Sequence, residues 1–104
     1  MSTIVINVYP SEPYYRGTKV LDGNTYEMLI KWNTFTEVWY MNIKGKNNTV
    51  DIKGIALLPG KDLFERYGEY QLGNLWVIDN SGKNEDPTFD EFGSRWTLEY
   101  TTVA

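Results

Sequence analysis

Three segments of the chain alternate apolar and polar residues with the period of two that is typical of a strand with one buried face. The segments 38–43 and 96–101 each place a tryptophan at or near their start and further apolar residues two and four positions later. Because alternate side chains point to opposite faces of a strand, we expect one face of each segment to lie in the core. In the segment 24–32 the expected core residues are Tyr26, Met28, Ile30 and Trp32.

The N-terminal part of the chain predicts a strand-like arm followed by a hairpin. Segment 3–9 is rich in β-branched residues and is followed by two prolines, which lack the N–H donor that strand pairing needs. Segment 14–21 is again extended in character. It runs into Asp22-Gly23, the dipeptide that favours the primed turn of a two-residue hairpin.

The central part of the chain predicts a strand, a short helix and a second strand. Segment 49–57 is a strand in which Gly54 marks a bulge or bend. The apolar spacing then changes to a helical one over 61–67, and Gly68 follows as a C-terminal cap in the left-handed conformation. Segment 75–79 is a compact apolar strand.

The predicted order of elements is three strands, a short helix and two strands, which is the order of an OB-fold. We therefore predict an all-β protein, a small OB-like five-stranded barrel with one short helix between strands three and four and an N-terminal strand-like arm. We expect residues 1–104 to form a single domain, with the arm at 1–16 and the barrel at 17–104. A β-sandwich with an inserted helical turn stays open, because alternation does not determine which strands pair.

Composition excludes several classes of function. A chain of 104 residues holds one core, and the absence of cysteine excludes disulfides, zinc-thiolate sites and cysteine nucleophiles. The absence of histidine removes the usual general base and the commonest metal ligand. A net charge of -4 repels a phosphate backbone, so nucleic acid is not an expected partner. No apolar run is long enough to span a membrane, and the N-terminus does not have the pattern of a signal peptide.

The long predicted loop 80–94 is acidic, and loops of this length in compact domains are usually functional or mobile. Its carboxylates do not have the spacing of an EF-hand calcium loop. No apolar pocket is indicated that would raise the pKa of one carboxyl group for acid-base catalysis. We therefore expect no metal, no cofactor and no enzymatic activity. Three lysines that flank one turn, Lys44, Lys46 and Lys53, indicate an ordinary solvated hairpin end.

The aromatic residues suggest two kinds of binding surface. Four tryptophans could stack on sugars or on nucleic-acid bases, but all four lie on predicted strands in phase with aliphatic neighbours, so we predict core packing for at least three. The remaining aromatic residues are candidates for a protein interface, and the alternative is that their loops fold back on the core. These candidates are Tyr14, Tyr15, Phe35, Phe89 and Phe92.

Several short motifs together resemble the baseplate plug proteins of contractile-tailed phages, a family typified by a cyanophage baseplate. They are LDGNTY at 21–26, IKWN at 30–33 leading to WY at 39–40, and IALLPGKDLFERY at 55–67. LWVID at 75–79, DP at 86–87 and FG at 92–93 follow in the same order. The resemblance extends from about residue 21 to residue 100.

The resemblance implies a structural virion protein in the tail baseplate that packs near the hub and spike and helps to close the tail channel until contraction. It implies as partners the hub, spike and tail tube, together with copies of the chain around a symmetric axis. It implies assembly in the host cytoplasm and no enzymatic activity. The alternative from the residues alone is an OB-like or sandwich binding module for carbohydrate or single-stranded nucleic acid.

Overall fold

The computed structural model describes residues 3–6, 14–70 and 72–103. From residue 14 onwards, the predicted strands agree with the observed ones to within two residues at each end. No helix in the described ranges has the length and apolar character needed to cross a membrane. The elements are β1 (Thr3–Ile6), β2 (Tyr14–Leu21), β3 (Asn24–Asn33), β4 (Val38–Gly45), β5 (Asp51–Ala56), a 3₁₀ helix (Glu65–Tyr70), β6 (Asn74–Asp79) and β7 (Trp96–Thr101).

The strands form two antiparallel sheets. One sheet has the order β2-β3-β4-β5, a meander in which each strand pairs with the next along the chain. The other has the order β1-β7-β6. No ladder between the two sheets is present in the described parts of the chain, so no closed barrel is found there and the predicted OB-like five-stranded barrel is not confirmed. The predicted boundary between arm and barrel, after residue 16, falls inside β2, and residues 7–13 of the arm lie outside the described residues.

The predicted inward faces of the alternating strands are confirmed. In β3 the side chains of Tyr26, Met28 and Ile30 are buried, and every second residue of β4 and β7 is buried in the same way. Both sheets contribute their inner faces to one hydrophobic cluster. The residues of the cluster with no exposed surface are Leu21, Ile30, Met41, Ile43, Leu57, Leu75, Trp96 and Leu98.

The four tryptophans have different environments. Trp39 and Trp96 are buried in the core, and Trp32 is half-buried against it, with its ring centroid 5.4 Å from that of Trp39. Trp76 lies between the buried residues Leu75 and Val77 of β6, so its side chain points to the outer face of the three-stranded sheet. Core packing is therefore complete for two tryptophans and partial for a third.

Two predicted backbone features are confirmed. Asp22 and Gly23 have φ angles of 52° and 81°, the positive values of a primed hairpin turn. Gly54 has a φ of 74°, and the register between β4 and β5 shifts at this point, as expected for a bulge. The Asn42 side-chain oxygen accepts a hydrogen bond of 2.8 Å from the Gly54 N–H and holds the bulge.

The predicted helix at 61–67 is replaced by a bend, a turn and the start of the 3₁₀ helix. The Asp62 carboxylate accepts hydrogen bonds from the N–H groups of Phe64 and Leu75, and the Leu63 N–H donates to the Leu75 carbonyl. These bonds attach the segment to the edge of β6. The N–H groups of Glu65 and Tyr67 donate to the carbonyls of Asp62 and Phe64, three residues earlier, as in 3₁₀ turns. The helix begins only at Glu65, and Gly68 does not have the positive φ that a left-handed cap requires.

Tyr100 forms a polar link between the two sheets. Its hydroxyl donates a hydrogen bond of 2.5 Å to the Asp22 carboxylate in the β2–β3 turn and accepts one of 2.7 Å from the Gly73 N–H. Burial and the neighbouring carboxylate raise the pKa of Tyr100 well above its ordinary value, so the hydroxyl keeps its proton. A Cβ at position 73 would collide with the Thr101 carbonyl and the Tyr100 ring, so this approach requires glycine.

We expect Tyr100→Phe to lower the free energy of unfolding by about 1–3 kcal/mol, because the Gly73 N–H and the Asp22 carboxylate lose a buried partner. Urea unfolding followed by tryptophan fluorescence measures this change. Tyr14→Phe is the matched control, since Tyr14 is 48% exposed, and we expect it to stay within about 0.5 kcal/mol of the unmodified protein. Equal stability of the two variants would contradict a structural role for the Tyr100 hydroxyl.

Candidate protein–protein interface

Phe35 is the most exposed large apolar side chain in the described structure, at 97%. It lies in the turn between β3 and β4, and the side-chain oxygen of Asn33 accepts hydrogen bonds from the N–H groups of Phe35 and Thr36. The Asn33 carbonyl accepts a further bond of 2.8 Å from Glu37, which has a φ of 55°. The turn is therefore closed by its own hydrogen bonds and presents an aromatic ring to solvent.

The long acidic loop is fixed at its two ends by an ion-pair network. The Arg95 guanidinium makes two hydrogen bonds of 2.9 Å to the Asp79 carboxylate and one of 2.6 Å to Glu85. The Asp79 side chain is only 1% exposed. The hydrogen bonds from Arg95 hold the pKa of Asp79 well below its ordinary range, and Asp79 raises the pKa of Arg95. Both groups therefore stay charged at neutral pH.

Two buried tryptophans hold the middle of the loop. The Trp39 indole N–H donates a hydrogen bond of 3.0 Å to the Thr88 carbonyl, and the Trp96 indole N–H donates one of 2.8 Å to the Glu85 carbonyl. The Arg95 guanidinium also lies 4.1 Å from the centre of the Trp96 ring. The loop is therefore attached to the core at Glu85 and Thr88.

The two loop phenylalanines pack onto the core beneath the loop. Phe92 is 1% exposed and its ring centroid lies 5.2 Å from that of Trp39. This placement corrects the prediction of Phe92 as an interface residue, because the loop folds back and buries the ring. Phe89 is half-buried and stacks on Trp39 with an interplanar angle of 6°. Only part of Phe89 is left for a partner.

The two adjacent tyrosines of β2 point to opposite faces of the sheet. Tyr15 is half-buried against the core and covers Gly17, where a Cβ would lie 2.7 Å from the Tyr15 hydroxyl. Tyr14 is on the outer face, where the Arg16 guanidinium lies 5.9 Å from its ring. Because Tyr14 pairs with Lys31, it lies at the same end of the sheet as the Phe35 turn. The structure therefore brings Tyr14, Phe35 and the exposed part of Phe89 to one end of the molecule.

Charge is distributed unevenly between two parts of the chain. Residues 14–56, which contain the four-stranded sheet, have six basic and four acidic residues, a formal charge of +2. Residues 57–103 have four basic and nine acidic residues, a formal charge of -5. The signal was present in the sequence as a difference between two halves of the chain.

The described residues contain no group of three side chains suited to holding a metal ion.

We expect Phe92→Ala to lower the free energy of unfolding by about 3–5 kcal/mol, because it leaves a cavity beside Trp39. Chemical unfolding monitored by circular dichroism measures the loss. Phe35→Ala is the control, since its ring is exposed, and it should change stability by less than about 0.5 kcal/mol. A Phe92→Ala protein as stable as the control would show that the loop does not fold back on the core.

The ion pair between Asp79 and Arg95 predicts a specific dependence of stability on pH. Because the pKa of Asp79 is lowered in the folded state, the pair stabilises the fold above about pH 4 and this contribution is lost as the pH falls through the native pKa. We expect the stability of Asp79→Asn to fall less steeply than that of the unmodified protein between about pH 5 and pH 2. Urea midpoints measured across this range test it. Asp90→Asn, an exposed substitution in the same loop, should leave the slope unchanged.

A comparison with known protein families identifies the chain over almost its whole length. The family described as cyanophage baseplate Pam3 plug gp18 matches residues 2–103, a range that contains both sheets, the Phe35 turn and the acidic loop. No curated protein matches the chain. The match confirms the resemblance found in the sequence motifs. The chain belongs to the cyanophage baseplate Pam3 plug gp18 family.

Proposed function

We propose that the chain is a structural component of a contractile phage tail that packs near the hub and spike of the baseplate and helps to close the tail channel. The observation that carries this proposal is the family match over residues 2–103. Membership of the family makes the chain a structural protein of the phage baseplate, located in the virion and associated with other baseplate components. The contractile tail, the neighbours and the closing of the channel are the parts we propose.

The proposed mechanism is steric and mechanical, without a catalytic step. A plug must resist deformation, and two sheets on one core with a loop held by ion pairs and indole hydrogen bonds support that requirement. The accessible surface is 6049 Å². A standard interface takes about 800 Å² from each partner, so two or three neighbours would cover roughly a quarter to two-fifths of this surface.

We propose that the anchors toward the hub, spike or tail tube are Phe35 and Tyr14, with the exposed part of Phe89. Aromatic residues that fill a partner's pocket contribute most of the binding energy in many interfaces. The Phe35 ring needs no rearrangement for such a role, because its turn is already closed by Asn33. Copies of the chain around a symmetric axis, assembled in the host cytoplasm, complete the proposal.

The binding module for carbohydrate or single-stranded nucleic acid has less support. That function requires exposed tryptophans as stacking surfaces, and Trp39 and Trp96 are buried. Trp32 is half-buried beneath Phe89, with 5.7 Å between their ring centroids. Trp76 is on the opposite sheet, so the tryptophans do not form a single platform.

We expect the chain to co-purify with a hub or spike protein when it is co-expressed with the remaining tail proteins of its source genome. Phe35→Ala should reduce this retention about thirtyfold, the effect of losing a central aromatic anchor. Val5→Ala is the control, since Val5 is 46% exposed on the outer face of the other sheet. Retention of no tail protein would refute the baseplate position, and equal retention of both variants would exclude Phe35 as the anchor.

A further inference from the structure

The outer face of the four-stranded sheet carries a cluster of cations around a shallow depression. Arg16 of β2 pairs with Leu29 of β3, and Lys44 of β4 pairs with Asp51 of β5, so these residues belong to neighbouring positions of the sheet. Lys53 precedes the bulge at Gly54. The depression has a volume of about 140 Å³ and is lined mainly by Arg16, Glu27, Leu29, Lys44, Asp51 and Lys53.

The cations of this depression, Arg16, Lys44 and Lys53, outnumber its two carboxylates, Glu27 and Asp51. Arg16, Lys44 and Lys53 form no salt bridge with any described residue. Glu27, which lines the same depression, is already paired with Lys46 at 3.4 Å. We call Arg16, Lys44 and Lys53 the basic cluster. The solvated hairpin end predicted from the sequence comprised Lys44, Lys46 and Lys53, and the sheet register adds Arg16 to two of these lysines.

The acidic loop presents the complementary charge on a different surface. Asp86, Asp90 and Glu91 are exposed, and none of them forms a salt bridge within the described ranges. The loop contacts Trp39 near the start of β4, whereas Lys44 is five residues further along that strand. At about 3.3 Å per residue, this separates the two charged regions by roughly 17 Å along the sheet. A molecule cannot satisfy its own basic cluster with its own loop at that distance.

We propose that the basic cluster of one copy binds the acidic loop of a second copy, so that copies of the chain join head to tail. The loop is suited to this contact because Arg95, Trp39 and Trp96 hold it in place, so little ordering is needed on binding. A contact between two different surfaces is heterologous, and it closes into a ring when the rotation between copies permits. The inference deepens the proposed function by naming the contact between copies in the baseplate.

The strength of the contact and its dependence on salt follow from its chemistry. Exposed ion pairs contribute little each, so we expect weak association that several pairs and the adjacent apolar side chain of Leu29 support together. Salt screens charges over about 8 Å at physiological ionic strength, so association should weaken as salt is added. When one copy keeps only the basic cluster and the other keeps only the acidic loop, the two copies should still form a single contact.

The test uses sedimentation velocity on the purified chain. We expect oligomers at low salt that dissociate in 0.5 M salt, and a dissociation constant about tenfold higher for Lys44→Gln/Lys53→Gln and for Asp90→Asn/Glu91→Gln. A 1:1 mixture of these two variants should form dimers and no larger species, because only one pair of intact surfaces is left. Lys61→Gln/Arg66→Gln and Glu65→Gln/Glu69→Gln match the two changes in net charge and should associate like the unmodified chain.

Each contrary result has a defined meaning. A monomer at low salt, variants that associate normally, or a mixture that stays monomeric would overturn the head-to-tail contact. If the chain is monomeric but still co-purifies with hub or spike proteins, the baseplate position stands and only this inference fails. If the chain forms oligomers but retains no tail protein, the proposed function fails and the contact between copies stands.

Discussion

Packing between the inner faces of the two sheets is the interaction on which the rest of the structure depends. Because no strand ladder joins the sheets in the described residues, backbone hydrogen bonds do not hold them together there. The apolar cluster does, since each sheet supplies a face of fully buried aliphatic and aromatic side chains. Tyr100 adds a directional contact, as its hydroxyl fixes the β2–β3 turn of one sheet against β7 of the other. Hydrophobic contacts set the association of the sheets, and this hydrogen bond sets their relative position.

The acidic loop completes the core at the end where the sheets would otherwise expose aromatic rings. Phe92 fills the space beside Trp39, and the two indole N–H groups find partners in the loop backbone. A buried N–H without a partner is costly, so the loop supplies what Trp39 and Trp96 need in order to be buried at all. The loop carboxylates that form no ion pair with Arg95 remain exposed to solvent. One segment therefore closes the core and provides the acidic surface.

Local patterns predicted the strands well because alternation is a property of each strand by itself. The inward faces of β3, β4 and β7 and the turn at Asp22-Gly23 follow from period and turn chemistry alone. Features that depend on distant residues were not predictable in this way. The bonds that hold Asp62 and Leu63 against Leu75 were not visible in the helical spacing of 61–67, and the sheet partners were not determined by alternation. The sequence left open whether Phe35 and Phe92 face a partner or fold back on the core, because the burial of Phe92 depends on Trp39, far away in sequence, whereas Phe35 is exposed in a local turn.

The position of the charges connects the fold to assembly. A net charge of -4 suggests a uniformly acidic protein, yet the meander of residues 14–56 is positive and the following half strongly negative. The antiparallel register then brings Arg16, Lys44 and Lys53 together from three strands. Arg95 forms ion pairs with Asp79 and Glu85. The charges that stay unpaired are therefore of opposite sign on separate surfaces. The proposed contact between copies joins these two surfaces.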